Sequence, residues 1–327
     1  MIIYRNNSTD PYFNLAAEQY LLDTKQGDIF MLWRNERAVI IGKNQNAYSE
    51  LDIDYVEKEN IKVVRRLTGG GAVFHDIGNI NFSFIVSGEE NATLDFVRFT
   101  KPIIEAIEDL GVKDISLSGR NDILIEGKKI SGNAQSCYNN KTLHHGTLLY
   151  SSDLSMLSGA LKVDEEKIKS KGIKSVRNRV ANIKDYILQD MDTKEFMDYL
   201  ESYVSKKHNC EIVDFTEEDI KAIQDLADEK YSTWDWNFGK SKEFSTQKRK
   251  RYPFGDVAVN LTAENGIIKQ VKIYGDFFGV CDVCRLEEVL INVKYTRQDI
   301  ESVIDEKMLD DCIKGMDKNI FLDLLFL

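Results

Sequence analysis

The chain has 327 residues, 43% of them hydrophobic and 30% charged, and a formal net charge of −11. This length predicts one large domain with an ordinary hydrophobic core, and one smaller domain. The acidic balance disfavours a nonspecific nucleic-acid binder, which needs a cationic surface. There is no apolar run of about 20 residues and no secretory leader pattern, so no membrane association is expected and the cytoplasm is the expected location.

Five cysteines at irregular positions argue against a disulfide framework. Cys281 and Cys284 form a C-x-x-C pair, but no histidine or second cysteine pair lies nearby. Since a structural zinc site normally needs four ligands, we interpret these two residues as ordinary thiols.

In the first half of the chain, the sequence pattern predicts a mixture of short strands and two longer helices. The apolar spacing favours helices over 12–24, 51–59 and 93–110, the last of them stopped by Gly111. Turn-forming residues at 76–79 predict that strands 72–75 and 80–86 pair with each other. Glu126-Gly127-Lys128 and Asn139-Asn140 predict two further hairpins. The strands are expected at 29–33, 38–41, 61–65, 72–75, 80–86, 113–117, 122–126, 129–137 and 141–150.

The second half is helical to about residue 230, with segments near 153–160, 193–207 and 216–230. A basic run at 248–251 then precedes two strands, 256–263 and 266–274, and two or three short helices. We therefore predict a division at 246, giving a catalytic domain over 1–246 and an accessory domain over 247–327. Because strands and helices do not alternate one by one, the expected fold is α+β, with a mixed sheet and packed helices.

Three consecutive glycines, Gly69 to Gly71, follow Arg66 and Thr68 in the first candidate site. Consecutive glycines cost conformational entropy, and their usual purpose is to let a ligand approach backbone N–H groups, as in anion-binding loops. The arginine adds a planar donor group suited to a carboxylate or a phosphate. A plain tight turn between strands is the alternative interpretation. The segment is not a Walker A loop, because no Gly-Lys-[Ser/Thr] follows.

Two more clusters contain chemically useful side chains. In 118–134, Asp122 can hold a metal or a nucleotide group, and Lys128 and Lys129 alternate faces if the stretch is a strand, so that one of them points inward. Solvent exposure of both lysines is the alternative. In 144–150, one of the adjacent histidines faces each side of a strand, and the inward one can be a hydrogen-bonded core residue as well as a site residue.

Residues 167–184 hold seven basic side chains and no acidic one. A cationic segment in an acidic protein usually faces a local anion, and a solvated helix face is the alternative. Together the glycine, lysine and basic clusters indicate a β-rich cradle for a phosphate-bearing ligand. They do not name the substrate.

At these residues the chain resembles the lipoate–protein ligase A family. The matching segments, which follow the family's order, are FNLAAEQYLL, WRNERAVIIGKNQN, RRLTGGGAVFHDIGNINFSF, SGRNDILIEGKKISGNAQ, HHGTLLYSSDL and KSKGIKSVRNRVANI. The resemblance spans most of residues 1–190 and is weaker after 246. It implies a biotin/lipoate ligase-like fold with a small α/β C-terminal accessory domain.

The resemblance also implies a two-step reaction for the salvage of free lipoate. Lipoate and Mg-ATP give lipoyl-AMP and pyrophosphate, and a lysine of an acceptor domain then takes the lipoyl group. The implied acceptors are lipoyl domains of 2-oxoacid dehydrogenase complexes or the glycine cleavage H protein, and the enzyme is expected to be a monomer that binds neither nucleic acid nor membrane.

Carried onto this sequence, the family pattern gives Lys129 the catalytic role, in contact with the lipoate carbonyl and the α-phosphate. Asn121 and Asp122 would serve the nucleotide and Mg²⁺. The adenylate-covering loop would include Lys171, Gly172, Lys174, Val176 and Arg177. The lipoyl-adenylate site would comprise Leu15, Trp33, Arg66, Thr68, Gly69, Gly70, Gly71, Val73, Phe74, His75, His145 and Thr147.

Two other functions remain open at this point. An ATP-independent octanoyl or lipoyl transferase of the same superfamily would use an activated thiolate, and Cys137 is the candidate in the central sheet. A lipoate-binding sensor without catalysis would not need Lys129 and Asp122. Biotin ligases share the expected fold, but their arginine–glycine nucleotide loop is missing here.

Overall fold

The computed structural model describes residues 1–88, 94–119, 121–138, 140–154, 179–238, 246–264 and 266–326. Two sheets and their helices form the larger part of this structure, and a third sheet with four helices forms a C-terminal domain. The predicted α+β class with a mixed sheet is confirmed.

An eight-stranded sheet is the framework of the larger part. In chain order its strands are β1 (Ile2–Arg5), β2 (Ile29–Trp33), β6 (Asn79–Ser87), β7 (Ile115–Ser118), β8 (Asp122–Ile125), β9 (Lys128–Tyr138), β10 (Lys141–Leu149) and β11 (Glu211–Asp214). Their spatial order is β11-β1-β2-β6-β10-β9-β8-β7. The β1 strand runs parallel to both neighbours, and the remaining pairs are antiparallel.

Alternation along β6 explains how this sheet divides its two faces. Ile80, Phe82 and Phe84 enter a large apolar core that also contains helix α4 (Phe96–Asp109) and helix α5 (Thr193–His208). Asn81 and Ser83 point to the opposite face, beneath helix α1 (Pro11–Thr24). The sheet therefore has one apolar face and one face that carries buried polar groups.

A smaller sheet lies against that polar face. It consists of β3 (Ala38–Ile41), β4 (Lys62–Arg65) and β5 (Val73–His75) in the order β4-β3-β5, with two short helices, α2 (Ala47–Glu50) and α3 (Ile53–Lys58), between β3 and β4. Side chains such as Val39, Val63 and Phe74 form a separate core on the outer side of this sheet. Its inner side faces the eight-stranded sheet.

Helix α1 begins where the sequence predicts, because the Asp10 side chain accepts hydrogen bonds from the backbone N–H groups of Tyr12 and Phe13 and Pro11 occupies the first turn. The remaining helices of the larger part are α6 (Glu217–Leu226), which continues as a π turn over Ala227–Tyr231, and α7 (Trp234–Asn237). None of the helices in the described ranges is long and apolar enough to cross a membrane.

Both hairpin predictions on either side of β9 are confirmed, with positive φ at Glu126, Gly127 and Asn140. The predicted pairing of strands 72–75 and 80–86 is wrong, because β5 pairs with β3 whereas β6 pairs with β2 and β10. The turn between them passes the chain from one sheet to the other. A Cβ at Gly78 would lie 2.2 Å from the Ser151 carbonyl oxygen, so this crossing needs glycine.

The C-terminal domain contains a three-stranded antiparallel sheet covered by four helices. Its strands are β12 (Thr246–Tyr252), β13 (Gly255–Glu264) and β14 (Ile267–Gly275), and its helices are α8 (Cys284–Leu290), α9 (Arg297–Val303), α10 (Glu306–Cys312) and α11 (Lys318–Leu325). They enclose an apolar core of their own. We had expected the basic run at 248–251 to precede the strands of this domain, but it lies inside strand β12.

The interpretation of Cys281 as a free thiol is wrong. Its sulfur is bonded to that of Cys312, which is 31 residues further along the chain. Cys284, the other member of the C-x-x-C pair, is free. This pairing depends on tertiary packing, because it joins the segment just before helix α8 to the end of helix α10.

Candidate active site

A cavity of about 220 Å³ lies between the polar face of the eight-stranded sheet and the inner side of the smaller sheet. Helix α1 contributes Leu15, and the C-terminal domain contributes two charged residues. The lining comprises Leu15, Trp33, Ile40, Arg66, Gly71, Ala72, Val73, His75, Asn81, Asn121, Asp122, Lys129, Gly132, Asn133, Ala134, His145, Gly146, Thr147, Arg251 and Asp276.

The strand register explains the polarity of this cavity. Trp33 lies opposite Asn81, which in turn lies opposite Thr147. The Thr147 hydroxyl accepts a hydrogen bond from the backbone N–H of Gly132, and Gly132 lies opposite Asp122. This row crosses five strands, or roughly 19 Å at about 4.8 Å per strand spacing. It begins at an apolar end formed with Leu15, Ile40 and Val73 and finishes at a carboxylate.

Lys129 forms an ion pair with Asp122 at the charged end, with 2.8 Å between Nζ and Oδ1. The β8–β9 pairing shifts register beside it, since Ile123 lies opposite Ser131 but Leu124 lies opposite Lys129. Such a bulge changes the direction of neighbouring side chains. A Cβ at Gly132 would approach Nζ of Lys129 to 2.9 Å, so this glycine leaves room for the ammonium group.

Arg66 lines the cavity, and most of its donors are also directed at neighbouring groups of the chain. Its guanidinium donates to the Thr68 hydroxyl and to the backbone carbonyls of Ile40, Gly69 and Gly71. Burial lowers the pKa of Arg66 to about 10, so the group stays charged at neutral pH. The arginine therefore fixes the shape of the glycine loop from inside.

The three glycines also differ from the expectation. A Cβ at Gly69 would lie 2.4 Å from the carbonyl oxygen of Phe277. One at Gly70 would lie 2.9 Å from Nη2 of Arg66 and 3.1 Å from the ring of Phe278. Only at Gly71 would a Cβ meet no atom within 4 Å. Two of the three glycines thus allow the C-terminal domain to approach, and the third faces the cavity.

A chain of hydrogen bonds beneath the cavity connects Glu18 to the apolar end of the site. The buried carboxylate of Glu18 accepts from Nδ1 of His145 at 2.8 Å and from the Ser83 hydroxyl at 2.5 Å. That hydroxyl accepts from the Trp33 indole N–H, while Nε2 of His145 lies 2.7 Å from the Thr68 hydroxyl. Because a carboxylate can only accept, Nδ1 of His145 carries a proton.

His75 is buried and uncharged. Burial, followed by the nearby charges of Arg66 and His145, lowers the pKa of His75 to about 3. The Asn35 amide donates to Nδ1 of His75, and the Asn35 oxygen in turn accepts from Asn14. The His75 proton must therefore sit on Nε2.

Several buried polar atoms around the cavity have no hydrogen-bond partner within the described ranges. The described ranges contain nine such side-chain atoms in all. Four of the nine belong to residues that line the cavity: Nε2 of His75, Nδ2 of Asn81, Oδ1 of Asn133 and Nη1 of Arg251. Buried polar groups are nearly always paired, so their concentration here indicates a site built for a polar ligand.

The structure brings eleven of the sequence-predicted residues into one cavity: Leu15, Trp33, Arg66, Gly71, Val73, His75, Asn121, Asp122, Lys129, His145 and Thr147. Thr68 lies behind the lining, Gly69 and Gly70 contact the C-terminal domain, and Phe74 packs in the core on the outer side of the small sheet. Lys171, Gly172, Lys174, Val176 and Arg177 lie outside the described residues. The segment that follows them is anchored beside the site, because Lys129 N–H donates to the Arg179 carbonyl.

The sequence analysis missed Glu18, Asn81, Asn133, Arg251 and Asp276. For Asn81 a signal was available, because Asn79, Asn81 and Ser83 alternate with apolar residues along a strand that is buried on both faces. Arg251 and Asp276 had no such signal, since their position depends on how the C-terminal domain packs.

The chain matches the lipoyl protein ligase A/B catalytic domain family over residues 10–205 and the bacterial lipoate protein ligase C-terminus family over residues 241–325. The chain belongs to the lipoate–protein ligase family. A similar relative is lipoate-protein ligase LplJ of Bacillus subtilis, 42% identical over 332 residues that cover all of both chains.

Three solved structures of family members are similar to this fold. Plasmodium falciparum LipL1, determined in complex with lipoate, is 26% identical with a TM-score of 0.81, over 98% of this chain and 97% of that chain. A Thermoplasma acidophilum bipartite lipoate protein ligase, studied with its E2 lipoyl domain, is 33% identical with a TM-score of 0.63, over 75% and 98%. A lipoate-protein ligase A bound with ATP is 30% identical with a TM-score of 0.60, over 73% and 98%.

Proposed function

We propose that this chain is an ATP-dependent lipoate–protein ligase that forms lipoyl-AMP and transfers the lipoyl group to a lysine of an acceptor domain. The observation that carries the proposal is the graded cavity, which has an apolar end at Trp33 on β2 and an ionic end formed by Lys129 on β9 and Asp122 on β8, three and four strands away. An acyl acid that has been joined to a nucleotide phosphate has the same polarity along its length.

In the first step, a lipoate carboxylate oxygen attacks the α-phosphorus of ATP. The new bond is an acyl–phosphate anhydride, and the electron pair of the broken bond leaves with pyrophosphate. The Lys129 ammonium, held by Asp122 before the substrate arrives, would offset negative charge on the carbonyl and phosphoryl oxygens. The slot formed by Leu15, Trp33 and Val73 would hold the lipoyl chain away from water.

In the second step, the neutral amine of the acceptor lysine attacks the carbonyl carbon of the anhydride. An amide bond forms, one proton leaves the amine, and AMP departs. No nucleophile of the enzyme is required, so correct positioning supplies much of the rate. We propose the lipoyl domains of 2-oxoacid dehydrogenase complexes or the glycine cleavage H protein as acceptors, and the cytoplasm, where ATP is available, as the location.

The residues at the charged end fit a magnesium ion that arrives with ATP. Mg²⁺ prefers oxygen ligands and commonly takes one or two carboxylates together with phosphate oxygens. The Asp122 carboxylate is partly exposed, and the adjacent Asn121 offers an amide oxygen. No cluster of three or more metal-binding side chains occurs within the described ranges, which suits an ion carried by the nucleotide.

Two further features stay predictions. The domain division at 246 is supported by the start of strand β12 at Thr246 and by the separate apolar core that follows it. The monomeric state of the enzyme awaits a measurement of its mass in solution.

The rival transferase would need a cysteine at the cavity. Cys137 lies on β9, eight residues from Lys129, which is roughly 26 Å at about 3.3 Å per residue. Its sulfur contacts the Thr142 hydroxyl at 3.5 Å, and none of the cavity-lining residues is a cysteine. A thiolate mechanism therefore has no support from this geometry.

The test is pyrophosphate release from ATP by the purified chain, with and without lipoate. Lys129→Ala should abolish the lipoate-dependent release. Lys128→Ala is the matched control, because this neighbouring lysine is exposed and does not line the cavity. Release that does not depend on lipoate, or equal rates in the two variants, would contradict the proposal.

A further inference from the structure

We infer that Arg251 of the C-terminal domain binds the pyrophosphate portion of ATP and stabilises it as the leaving group. This inference rests on the proposed ligase function, and it assigns a role in the first step alone. Three features point to this role: the hydrogen bonding of the cavity's cations, the position of strand β12, and the charge that the reaction develops.

Two of the three lysine and arginine side chains in the described lining already have close hydrogen-bonding partners. Arg66 donates to the Thr68 hydroxyl and to backbone carbonyls, and Lys129 is paired with the Asp122 carboxylate. Arg251 differs, because its buried Nη1 has no hydrogen bond and the nearest carboxylate oxygen, on Asp276, is 3.7 Å away. A guanidinium with a spare donor is well suited to a phosphate group.

Asp276 forms an ion pair with this arginine, with 3.7 Å between Oδ2 and Nη1, but it accepts no hydrogen bond from Nη1. One oxygen of its carboxylate accepts a 2.6 Å hydrogen bond from the backbone N–H of Asp256, so the side chain is oriented by its own domain. Distances of about 3.7 Å exceed normal hydrogen-bond lengths. Asp276 therefore directs the guanidinium without occupying its donors.

Two backbone hydrogen bonds and one ion pair join the C-terminal domain to the larger part of the chain and thereby position Arg251 at the cavity. The Gly70 N–H donates to the Phe277 carbonyl, the Gly275 N–H donates to the Asn44 carbonyl, and Lys43 pairs with Asp282. Arg251 itself lies on β12, opposite Asp256 of β13, so a strand rather than a loop presents it. The C-terminal domain thus completes the wall of the cavity.

The chemistry of the first step is favoured by such a cation. When the carboxylate attacks the α-phosphorus, the bond from phosphorus to the bridging oxygen breaks and its electron pair moves onto pyrophosphate. A cation fixed beside that group stabilises the charge as it develops. Pyrophosphate has left before the acceptor lysine attacks, so Arg251 has no part in the second step.

The basic run at 248–251 contains a matched control. Arg249 lies two residues before Arg251 on the same strand, but its guanidinium is paired with the Asp256 carboxylate at 2.7 Å and does not line the cavity. Loss of Arg249 removes the same charge from the same strand. Any difference between the two variants then reports the site rather than the net charge.

The experiment compares Arg251→Ala, Arg251→Lys and Arg249→Ala in the full chain. Lipoate-dependent adenylate formation is measured against ATP concentration, pyrophosphate is tested as a product inhibitor, and transfer to an acceptor domain is started from prepared lipoyl-AMP. Arg251→Ala should weaken adenylate formation and pyrophosphate inhibition by roughly 10- to 100-fold, the size expected from a lost charged hydrogen bond. Transfer from lipoyl-AMP should change less than about twofold, Arg251→Lys should recover part of the loss, and Arg249→Ala should resemble the wild type.

Equal losses in both half-reactions, or unchanged adenylation and pyrophosphate inhibition, would overturn the inference. If Arg251→Ala does not fold, the same comparison rests on Arg251→Lys, which keeps the charge but loses the planar donor group. A wild-type chain without lipoate-dependent pyrophosphate release would contradict the proposed function instead, and this outcome is seen before any variant is measured.

Discussion

Replacing Gly69 by alanine is expected to loosen the contact between the glycine loop and the C-terminal domain. The new Cβ would lie 2.4 Å from the Phe277 carbonyl oxygen, whereas real Cβ contacts stay above 3.0 Å, so the two backbones must separate by at least the 0.6 Å difference. The same oxygen accepts the Gly70 N–H at 3.3 Å, and this hydrogen bond would then break. Overpacking and the lost bond together cost roughly 2–4 kcal/mol.

Hydrogen exchange followed by mass spectrometry measures this loosening. At about 1.4 kcal/mol per factor of ten, amides in peptides covering residues 68–72 and 275–280 should exchange roughly 30- to 1000-fold faster. Gly71→Ala is the control, because its Cβ would meet no atom within 4 Å. If Gly69→Ala exchanges at the wild-type rate, or if both variants change alike, the account of the glycine loop is wrong.

Three other predictions concern buried groups. His75 stays uncharged in the folded chain down to about pH 3, so protonation of this histidine stabilises the unfolded chain as the pH falls below 6.5. Between pH 6.5 and pH 5, the free energy of unfolding in urea should fall by about 1.6 kcal/mol less in His75→Asn than in the wild type. Glu18→Gln keeps one oxygen for the Ser83 hydroxyl but puts an amide NH2 group against the Nδ1–H of His145, which should cost about 1–3 kcal/mol and raise the KM for lipoate while the KM for ATP stays unchanged. Phe278→Ala removes a buried ring packed against Phe96, and calorimetry should show a loss of about 3–5 kcal/mol, whereas Phe326→Ala, at an exposed ring, should lose little.

Local signals predicted much of the fold. The turn at Glu126-Gly127-Lys128 and the one ending at Asn140 required positive φ, and these positions fixed the β8–β9–β10 hairpins. Helix α1 followed from the Asp10 cap and the proline after it. The segments that surround the cavity were recognisable because they place glycines and charged residues beside strands, where such residues are otherwise uncommon.

Long-range pairing was beyond the sequence argument. Strands β1 and β11 are four residues each and more than 200 residues apart in the chain, and the sequence analysis predicted neither of them. The change of sheet between β5 and β6 depends on close packing of Gly78 against Ser151. Gly69 and Gly70 contact the C-terminal domain, whereas Gly71 faces the cavity. This difference is visible only when the C-terminal domain is packed against the glycine loop.

The central claim is that one chain carries out adenylation and then transfer, and a stepwise single-turnover experiment tests it most directly. The enzyme is incubated with lipoate, ATP and Mg²⁺ but no acceptor, and lipoyl-AMP and pyrophosphate are quantified before a lipoyl acceptor domain is added. The account predicts enzyme-bound lipoyl-AMP equal to the pyrophosphate formed, followed by equal amounts of AMP and lipoylated acceptor. Lipoylation from an acyl thioester without ATP, with no adenylate at any time, would contradict the account.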